Sequence, residues 1–332
     1  MPGQQRGRNA IQVDRAAKTG YHRLALKLAW DGTTFKGFQS QPHMNTVQDN
    51  LEKRISSLLV RPIRVLAWGR TDSGVHAQGA VCSIDVTADE LKSLARRCRS
   101  DLYEGQIEMR AAVIIKSALR EFKCDNGDYP NSKTRYGSIT VKSVVSVDPC
   151  FDARFSAKWK RYVYYVIQSE GDPTCFVWAR YAWHVRRPLD FSKMIEVTNL
   201  LGGEHNFEWL SVTEAGELRD PRRNLGLTIE EVPIQTAGGD APYFVQQDNA
   251  RLYRIIGTCD FFLYRMMRLI VGLVVHVGSG RVSTDAVRQC LEMHDSYDGA
   301  EGLQKPKIPS NMLCTAPAKG LCLDHIEYDK KI

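Results

Sequence analysis

The sequence predicts an α+β fold in which each half of the chain carries its own mixture of strands and helices. Strand-like stretches, in which apolar and polar residues alternate, recur in both halves of the 332-residue chain. Helix-like stretches lie between them at irregular intervals, without the steady strand–helix rhythm of a doubly wound sheet. With 43% hydrophobic residues, the chain can bury two cores or one bilobed core.

The first half begins with a strand at residues 22–30, which places Leu24, Leu26, Leu28 and Trp30 on one face. A helix follows, because Thr46 is a suitable N-cap and the apolar residues after it recur at helical spacing. The elements predicted in this half after the first strand are a helix over 47–59, strands over 63–68 and 80–86, a helix over 88–99 and a strand over 138–147.

The second half repeats the mixture and contains the most apolar predicted helix, residues 262–277, which ends at a Gly-Ser-Gly turn. A basic and aromatic strand is predicted over 158–168. The remaining predicted elements are helices over 191–201 and 284–293 and strands over 226–232, 252–258 and 321–328.

We place a boundary at the Asp148-Pro149 dipeptide, which gives halves of residues 21–148 and 149–332. Residues 123–137 are polar and are expected to form an insertion. Residues 1–20 carry Arg6, Arg8, Arg15 and Lys18 against Asp14 and are expected to form a disordered basic tail. A weak organellar transit peptide is disfavoured because Asp14 and two early glycines interrupt an amphipathic helix.

Composition limits the compartment and the partner. The formal net charge of +7 fits a polyanionic partner without requiring one. The nine cysteines are odd in number, scattered and without a Cys-x-x-Cys pair, which favours reduced thiols inside the cell over a disulfide framework or a zinc site. The cytoplasm or nucleus is favoured, and an organelle such as the mitochondrion remains open. A membrane segment is not expected, because the most apolar stretch contains Arg265, Arg268 and His276.

The most informative stretch is residues 69–77, which read Gly-Arg-Thr-Asp-Ser-Gly-Val-His-Ala. It follows a strand-like segment and places one carboxylate, Asp72, in a small polar turn where a substrate can approach the backbone. Arg70 supplies a positive charge that favours the ionised carboxylate. This is the local chemistry of a nucleophile or a base.

Two alternative interpretations apply to this stretch. Asp-Ser-Gly by itself is a common turn. The tripeptide also resembles that of aspartic proteases, but those enzymes need two carboxylates that share a proton, and the chain has one such tripeptide. The aspartic protease interpretation is therefore excluded.

A second motif spans residues 151–165, Phe-Asp-Ala-Arg-Phe-Ser-Ala-Lys-Trp-Lys-Arg-Tyr-Val-Tyr-Tyr. On a strand, Tyr162 and Tyr164 share one face and Arg161 lies on the other, which could hold a phosphate and stack a base. The structural alternative is an amphipathic edge strand whose tyrosines belong to the core.

A third motif spans residues 266–272, Met-Met-Arg-Leu-Ile-Val-Gly. Residues 261, 264, 265, 268 and 272 are predicted to share a helix face. Arg268 then lies among aromatic and small neighbours, where it needs a carboxylate or phosphate partner. For Arg265, a surface arginine with its charged end in water is equally compatible.

These three motifs resemble those of the TruA family of pseudouridine synthases. The first matches the family pattern Gly-Arg-Thr-Asp-Ala/Ser/Lys-Gly-Val-His-Ala, the second Phe-x-Ala-Arg-x-Ser-Ala with Arg-Tyr-x-Tyr, and the third Met-Val-Arg-x-Ile-Val-Gly. Weaker similarities extend the resemblance over residues 22–328, about nine-tenths of the chain. They lie at 30–48, 200–207, 222–224 and 316–321.

The resemblance implies two RRM-like α/β halves packed into one continuous, mixed and mainly antiparallel sheet, with a basic central cleft. It implies isomerisation of uridine to pseudouridine in structured RNA, without cofactor or metal, most simply in tRNA near the anticodon arm. Asp72 would be the catalytic carboxylate, Arg268 its partner and Tyr162 the ring that packs on the uracil. Leu321 would close the uracil pocket, and Arg70 would replace the flipped nucleotide in the RNA helix.

Tyr164 and Arg154, which lie in the second motif, are also expected to contact the substrate. The sequence departs from bacterial members of the family before residue 151 and in the 123–137 insertion. A catalytically silent RNA-binding or ribosome-assembly factor that kept the fold is therefore the alternative function. An rRNA substrate and a homodimer are both left open.

Overall fold

The computed structural model describes residues 20–99, 103–119, 139–170, 176–212, 220–233, 250–297, 306–310 and 312–332. The predicted insertion at 123–137 and all but the last residue of the predicted tail lie outside these ranges. The described residues form ten strands and seven α-helices, so the predicted α+β class is confirmed. In chain order they are β1 (Tyr21–Trp30), α1 (Val47–Leu59), β2 (Leu66–Ala67), β3 (His76–Thr87), α2 (Ala88–Arg97), α3 (Ile107–Leu119), β4 (Ile139–Val147), β5 (Trp159–Gln168), α4 (Phe176–Tyr181), β6 (Trp183–Val185), α5 (Phe191–Leu201), β7 (Gly203–Asn206), β8 (Arg222–Val232), β9 (Arg251–Cys259), α6 (Met266–Gly278), α7 (Thr284–Asp295) and β10 (Leu321–Glu327).

The chain divides into two compact units. Unit 1 consists of two parts, the chain up to Lys158 and residues Leu323–Ile332. Unit 2 is Trp159–Cys322. The division therefore falls after the second motif's loop rather than at residue 148, and β10 returns the end of the chain to unit 1. A sequence pattern shows where a strand is but not which strands it pairs with, so this return is not visible before folding. The joining of the two halves around a basic cleft stays a prediction.

Unit 1 is built on a sheet with the strand order β4-β1-β3-β10, and β2 is paired with β3 beside this path. β1 is antiparallel to both of its neighbours, β3 and β4. The helices α2 and α3 pack on each other, and α3 packs on β4. Thr46 accepts a hydrogen bond from the Asp49 amide and begins α1 as predicted.

Unit 2 is built on a sheet with the strand order β5-β9-β8-β7, in which β6 runs parallel to β5. β5 and β8 are both antiparallel to β9. Helix α5 packs against α6, α7 and β8. Every residue of α6 is buried except Arg268, as expected of a helix that is apolar on all sides.

Among the predicted bounds that differ from the structure, two affect the candidate site. The strand predicted over 63–68 is reduced to Leu66–Ala67, so the chain before Asp72 is mostly loop. Helix α6 begins at Met266 rather than at residue 262, because Arg265 adopts a left-handed conformation with φ of 59°. The helix face that we predicted from residues 261, 264 and 265 therefore does not exist.

Within the described ranges, no helix combines the length and the apolar character that a bilayer crossing requires.

Candidate active site

Asp72 lies in the connection between β2 and β3, residues 68–75, which we call the Asp72 loop. The strand β2 pairs with the middle of β3, with Leu66 opposite Ser83, so the loop connects the two antiparallel strands of one hairpin. The side chain of Asp72 is partly exposed and that of Arg70 is exposed. The carboxylate is therefore accessible while the backbone that carries it is attached to the sheet at both ends.

Two glycines that follow β1 allow the chain there to lie directly on the Asp72 loop. A Cβ on Gly32 would overlap the carbonyl of Val75. A Cβ on Gly37 would lie 2.7 Å from the Thr71 carbonyl oxygen, and Gly37 has a φ of 92°. Only glycine meets both requirements at position 37 without strain.

Backbone hydrogen bonds fix the same contact. The Phe38 amide donates to the Thr71 carbonyl at 3.2 Å, and the Gly74 amide donates to the Phe35 carbonyl at 3.2 Å. Within the loop, the Val75 amide donates to the carbonyl of Asp72 at 3.2 Å. The polypeptide on either side of the catalytic candidate is thus held through main-chain groups, which do not depend on side-chain rotamers.

Three buried aromatic side chains pack together beside the loop. The rings of Phe38 and Trp68 meet edge to face with centroids 4.8 Å apart, and Trp30 lies 5.8 Å from Trp68. The Trp30 indole Nε1 donates to the Val75 carbonyl at 3.1 Å. This cluster joins β1, the β1–α1 connection and the Asp72 loop into one packed unit.

His76 shapes the end of the loop, the structural role that its position after Val75 favours. Its ring is buried, and its Nδ1 accepts a hydrogen bond from the Gly32 amide at 3.0 Å. The carboxylate of Asp31 lies 3.3 Å from the same nitrogen. The contacts with Gly32 and Asp31 fix the orientation of the ring at the end of the loop.

Arg154 lies in a separate turn of unit 1 that is organised by Asp152. The Asp152 carboxylate accepts from the amides of Arg154 at 2.8 Å and Phe155 at 3.0 Å, the pattern of an Asx turn. The guanidinium of Arg154 lies over the Phe155 ring, 5.5 Å from its centroid. Its predicted contact with substrate stays a prediction.

Tyr162 lies on β5 opposite Gly257 of β9 and is largely buried. Its ring meets that of Phe262 edge to face, with centroids 4.9 Å apart. A Cβ on Gly257 would lie 2.5 Å from the Met267 sulfur, so this glycine makes room for the start of α6 beside the tyrosine. The ring that the resemblance places on the uracil is held from one side by Phe262.

Arg268 joins the first turn of α6 to residues 314–321, which we call the closing segment. Its Nε donates to the Ala316 carbonyl at 2.8 Å, and the Ala316 amide donates to the Arg268 carbonyl at 3.1 Å. One turn further along the helix, a Cβ on Gly272 would overlap the Cys314 carbonyl. The closing segment therefore lies against the helix backbone, and Arg268 as a whole residue is partly exposed.

Tyr164 lies behind the closing segment and not on an exposed surface. It is fully buried, and its hydroxyl donates to the Pro317 carbonyl at 2.6 Å. Burial raises the pKa of this phenol well above its ordinary value, against the opposing effect of the Arg268 charge, so the hydroxyl stays a donor. Its ring fills the space that a Cβ on Gly320 would need, one residue before Leu321.

The predicted site residues fall into two groups. Unit 1 carries Arg70, Asp72 and Arg154, and unit 2 carries Tyr162, Tyr164, Arg268 and Leu321. Within unit 2, Tyr164, Arg268 and Leu321 converge on the closing segment. The pairing of Asp72 with Arg268 stays a prediction. Among the described residues, no group of three or more His, Cys, Asp or Glu side chains could hold a metal ion.

The residues that the sequence did not single out are the glycines at 37, 257, 272 and 320, each placed where another chain segment passes. Glycine next to a catalytic motif is compatible with many loops, so one sequence gives no reason to select these positions. The partial signal was their placement inside the segments that resemble the family, such as Gly272 at the end of the third motif.

Comparisons with known proteins identify the family of the chain. A family model described as tRNA pseudouridine synthase matches residues 198–329. A tRNA pseudouridine synthase A from Brevibacillus brevis is 30% identical over 307 residues, 92% of this chain and 99% of the relative. Enzymes of the same name from Pseudothermotoga lettingae and a Geobacillus species are each 31% identical and cover 92% of this chain and 99% and 98% of their own lengths. The chain belongs to the TruA family of tRNA pseudouridine synthases.

Proposed function

We propose that the protein isomerises uridine to pseudouridine in tRNA and that Asp72 is its catalytic carboxylate. The reaction breaks the bond between N1 of the base and C1′ of the ribose and forms a bond between C5 and C1′. The hydrogen on C5 leaves as a proton, and N1 gains one. The elements of the base and sugar are conserved, so the reaction needs no oxidant and no second substrate.

The observation that carries this proposal is the Asp72 loop. A partly exposed carboxylate stands on a backbone held by Phe35, Phe38 and the two glycines that follow β1. Such a carboxylate can add to the base, add to the sugar or take a proton from the sugar, and then leave again. Its rigid support holds it in position for a flipped base, which is a large part of what an active site contributes.

The residues of unit 2 would complete the site. Tyr162, held by Phe262, offers a ring on which the uracil can pack. Arg268 would pair with the Asp72 carboxylate and orient it, with its Nε anchored on Ala316. The closing segment would place Leu321 over the base and exclude water. Tyr164 acts in this proposal as a positioning residue for Leu321, through Pro317.

The relatives' names state a tRNA substrate, and the formal net charge of +7 supports a polyanionic partner for this chain. We place the target uridine near the anticodon arm. Binding through phosphates should weaken steeply with salt, because each neutralised phosphate releases counterions. An rRNA substrate and a homodimer remain secondary proposals, and a reducing compartment, cytoplasm or nucleus, is supported by the free thiols of the seven described cysteines.

The test is the release of tritium from tRNA transcripts labelled at C5 of uridine. Wild-type protein should release tritium, because isomerisation expels that hydrogen. Asp72→Asn keeps the shape of the side chain and should abolish release while tRNA binding stays within about threefold of wild type. The matched control is Asp89→Asn on α2, whose carboxylate is 96% exposed, and it should keep full activity.

Two results would contradict the proposal. Activity retained by purified Asp72→Asn would remove Asp72 from the chemistry. Tight tRNA binding by wild type without tritium release from any tRNA would favour the catalytically silent RNA-binding factor. Transcripts of rRNA carried through the same assay decide whether the substrate range extends beyond tRNA.

A further inference from the structure

The connection between β9 and α6, residues 260–265, is rich in aromatic and cationic contacts, and we call it the β9–α6 connection. Phe261 lies between two cations, with the Lys160 ammonium 5.3 Å and the Arg223 guanidinium 5.6 Å from its ring centroid. Phe262 packs edge to face on Tyr162. Both rings are therefore used to attach the connection to the sheet of unit 2.

Tyr264 differs from these two rings because its side chain is 42% exposed. The guanidinium of Arg265 lies over its ring, 5.1 Å from the centroid. An exposed tyrosine combined with an arginine offers a surface on which a base can stack and a charge that can meet a phosphate. The pair immediately precedes the helix that carries Arg268.

The backbone presents this pair in a fixed way. The Tyr264 carbonyl accepts from the Val212 amide at 3.0 Å, and the Met266 amide donates to the Leu263 carbonyl at 3.1 Å. Arg265 has a φ of 59°, a conformation in which glycine would be more stable than arginine. A strained non-glycine residue held by its surroundings, on the surface next to a candidate site, points to a functional contact.

The position of the pair limits which nucleotide it can reach. Tyr264 is two positions after Phe262, so their Cα atoms are at most about 7 Å apart. Phe262 contacts Tyr162, the ring that we assign to the target uracil. The pair is therefore close enough along the chain to meet a nucleotide near the target.

We infer that Tyr264 and Arg265 bind a nucleotide that flanks the target uridine. Its base stacks on the exposed part of the Tyr264 ring, and its phosphate meets the Arg265 guanidinium. The inference rests on the proposed function, since it assumes that unit 2 receives RNA. It adds a specificity-determining contact outside the uracil pocket. The affinity for a tRNA would then depend on which base flanks the target uridine, because bases differ in stacking strength.

The test compares variants of the full-length protein for tRNA binding, KM and kcat. Tyr264→Ala should raise Kd and KM about tenfold with kcat changed less than threefold, whereas Tyr264→Phe keeps the ring and should match wild type. Arg265→Gln should weaken binding and reduce the slope of log Kd against log salt concentration by about 1. The matched controls are Tyr181→Ala and Arg288→Gln, exposed residues of the same types elsewhere in unit 2, which should bind like wild type.

Arg265→Gly separates RNA binding from a structural role. Glycine relieves the left-handed backbone, so this variant should melt at the same temperature as wild type or higher while its tRNA affinity falls. Unchanged Kd for Tyr264→Ala and Arg265→Gly would overturn the inference, as would losses of affinity that follow losses of thermal stability. Failure of the proposed function would look different, because wild type itself would then release no tritium.

Discussion

Two glycines decide how closely the chain after β1 can approach the Asp72 loop. Gly37→Ala would place a methyl group 2.7 Å from the Thr71 carbonyl oxygen in a backbone with φ of 92°. We expect a loss of about 1–3 kcal/mol in the free energy of unfolding, because neither backbone can move without breaking hydrogen bonds. We also expect kcat to fall by more than tenfold, since Asp72 is displaced. Urea unfolding and tritium release measure the two effects.

Gly105→Ala is the matched control for that substitution. Gly105 has a φ of 76°, but a Cβ there has no atom within 4 Å. It carries the backbone strain of the Gly37 variant without the contact on the catalytic loop. If the two variants lost activity equally, the contact between Gly37 and Thr71 would have no special role.

Burial predicts which cysteines react in the native protein. It raises the pKa of the Cys259 thiol to about 12 and that of Cys290 to about 11, so thiolate is scarce at both positions at neutral pH. Cys150 is exposed. Alkylation at pH 8 followed by mass spectrometry should label Cys150 before the other described cysteines, and Cys259 and Cys290 only after unfolding. Rapid native labelling of Cys259 would show that β9 opens locally.

Among the elements, α6 is the support for the closing segment. Its apolar surface is buried on all sides. Gly272 has no side chain, which allows the Cys314 carbonyl to lie directly against the helix. Gly272→Ala should force the closing segment away from the helix, which would break the bonds between Arg268 and Ala316 and displace Leu321. We expect a loss of stability of about 2–4 kcal/mol and nearly complete loss of tritium release.

Gly278→Ala lies in the same helix and is the control for that prediction. Its Cβ would meet the Met194 side chain, 2.6 Å from Cγ, and a methionine can change rotamer where a backbone cannot. Activity should therefore survive in Gly278→Ala at temperatures where the protein remains folded. Equal inactivation of both variants would assign the effect to the helix itself rather than to the closing segment.

Helix α2 begins with a capping box, and the carboxylate in this box should make the stability of the protein depend on pH. Thr87 accepts from the Glu90 amide, and Glu90 accepts from the Thr87 amide and from Arg61 at 2.9 Å. Partial burial raises the pKa of Glu90, but the bonds from Arg61 and Thr87 outweigh it, so the pKa lies below the ordinary value of 4.5. The stabilisation is present above pH 4.5 and is lost as the pH falls through the lowered pKa.

Glu90→Gln should therefore lower the free energy of unfolding by about 1 kcal/mol at pH 7, since the ion pair is partly exposed. The difference from wild type should shrink as the pH falls below the lowered pKa of Glu90. Denaturant melts at pH 7, 5 and 3 measure it. A difference that stays constant across this range would mean that the carboxylate charge contributes nothing.

At the scale of the whole molecule, the sequence predicted most elements because their local patterns are strong. The ends of α1 and α5 agree with the predictions, since Thr46 and Asp190 are N-caps that a sequence shows directly. Helix α3 was not predicted, and neither was the left-handed turn at Arg265 that shortens α6. That turn is held by contacts with distant residues such as Val212, which local patterns do not contain.

The candidate site divides in the same way. The residue types at Asp72, Tyr162 and Arg268 are visible in three motifs, so they could be selected from the sequence. The contacts that hold these residues in place could not be predicted from the sequence, because they are made by main-chain groups. One example is the hydrogen bond from the Phe38 amide to the Thr71 carbonyl. Tyr164 shows the limit of face periodicity, since it shares a strand face with Tyr162 but is buried behind Pro317.

Residues 323–332 complete the sheet of unit 1. The Glu327 carbonyl accepts from the Lys158 amide at 2.9 Å, and the Tyr328 hydroxyl donates to the Ala153 carbonyl at 2.7 Å. Gly79 has no room for a Cβ because the Asp324 backbone lies against it. Deletion of residues 323–332 therefore removes most of β10 and the Tyr328 side chain that bonds to Ala153. It also exposes an edge of β3.

Hydrogen exchange read by mass spectrometry should show faster exchange in β1 and β3 of the truncated protein, because their protection depends on a complete sheet. The strands β8 and β9, which pair within unit 2, should keep most of their protection. Tyr328→Phe is the milder companion: it removes one buried hydrogen bond and should cost about 1 kcal/mol without changing the exchange pattern. Unchanged protection of β3 in the truncated protein would show that unit 1 is stable without the end of the chain. Since the Asp72 loop is anchored on β3, loss of that protection should also abolish tritium release.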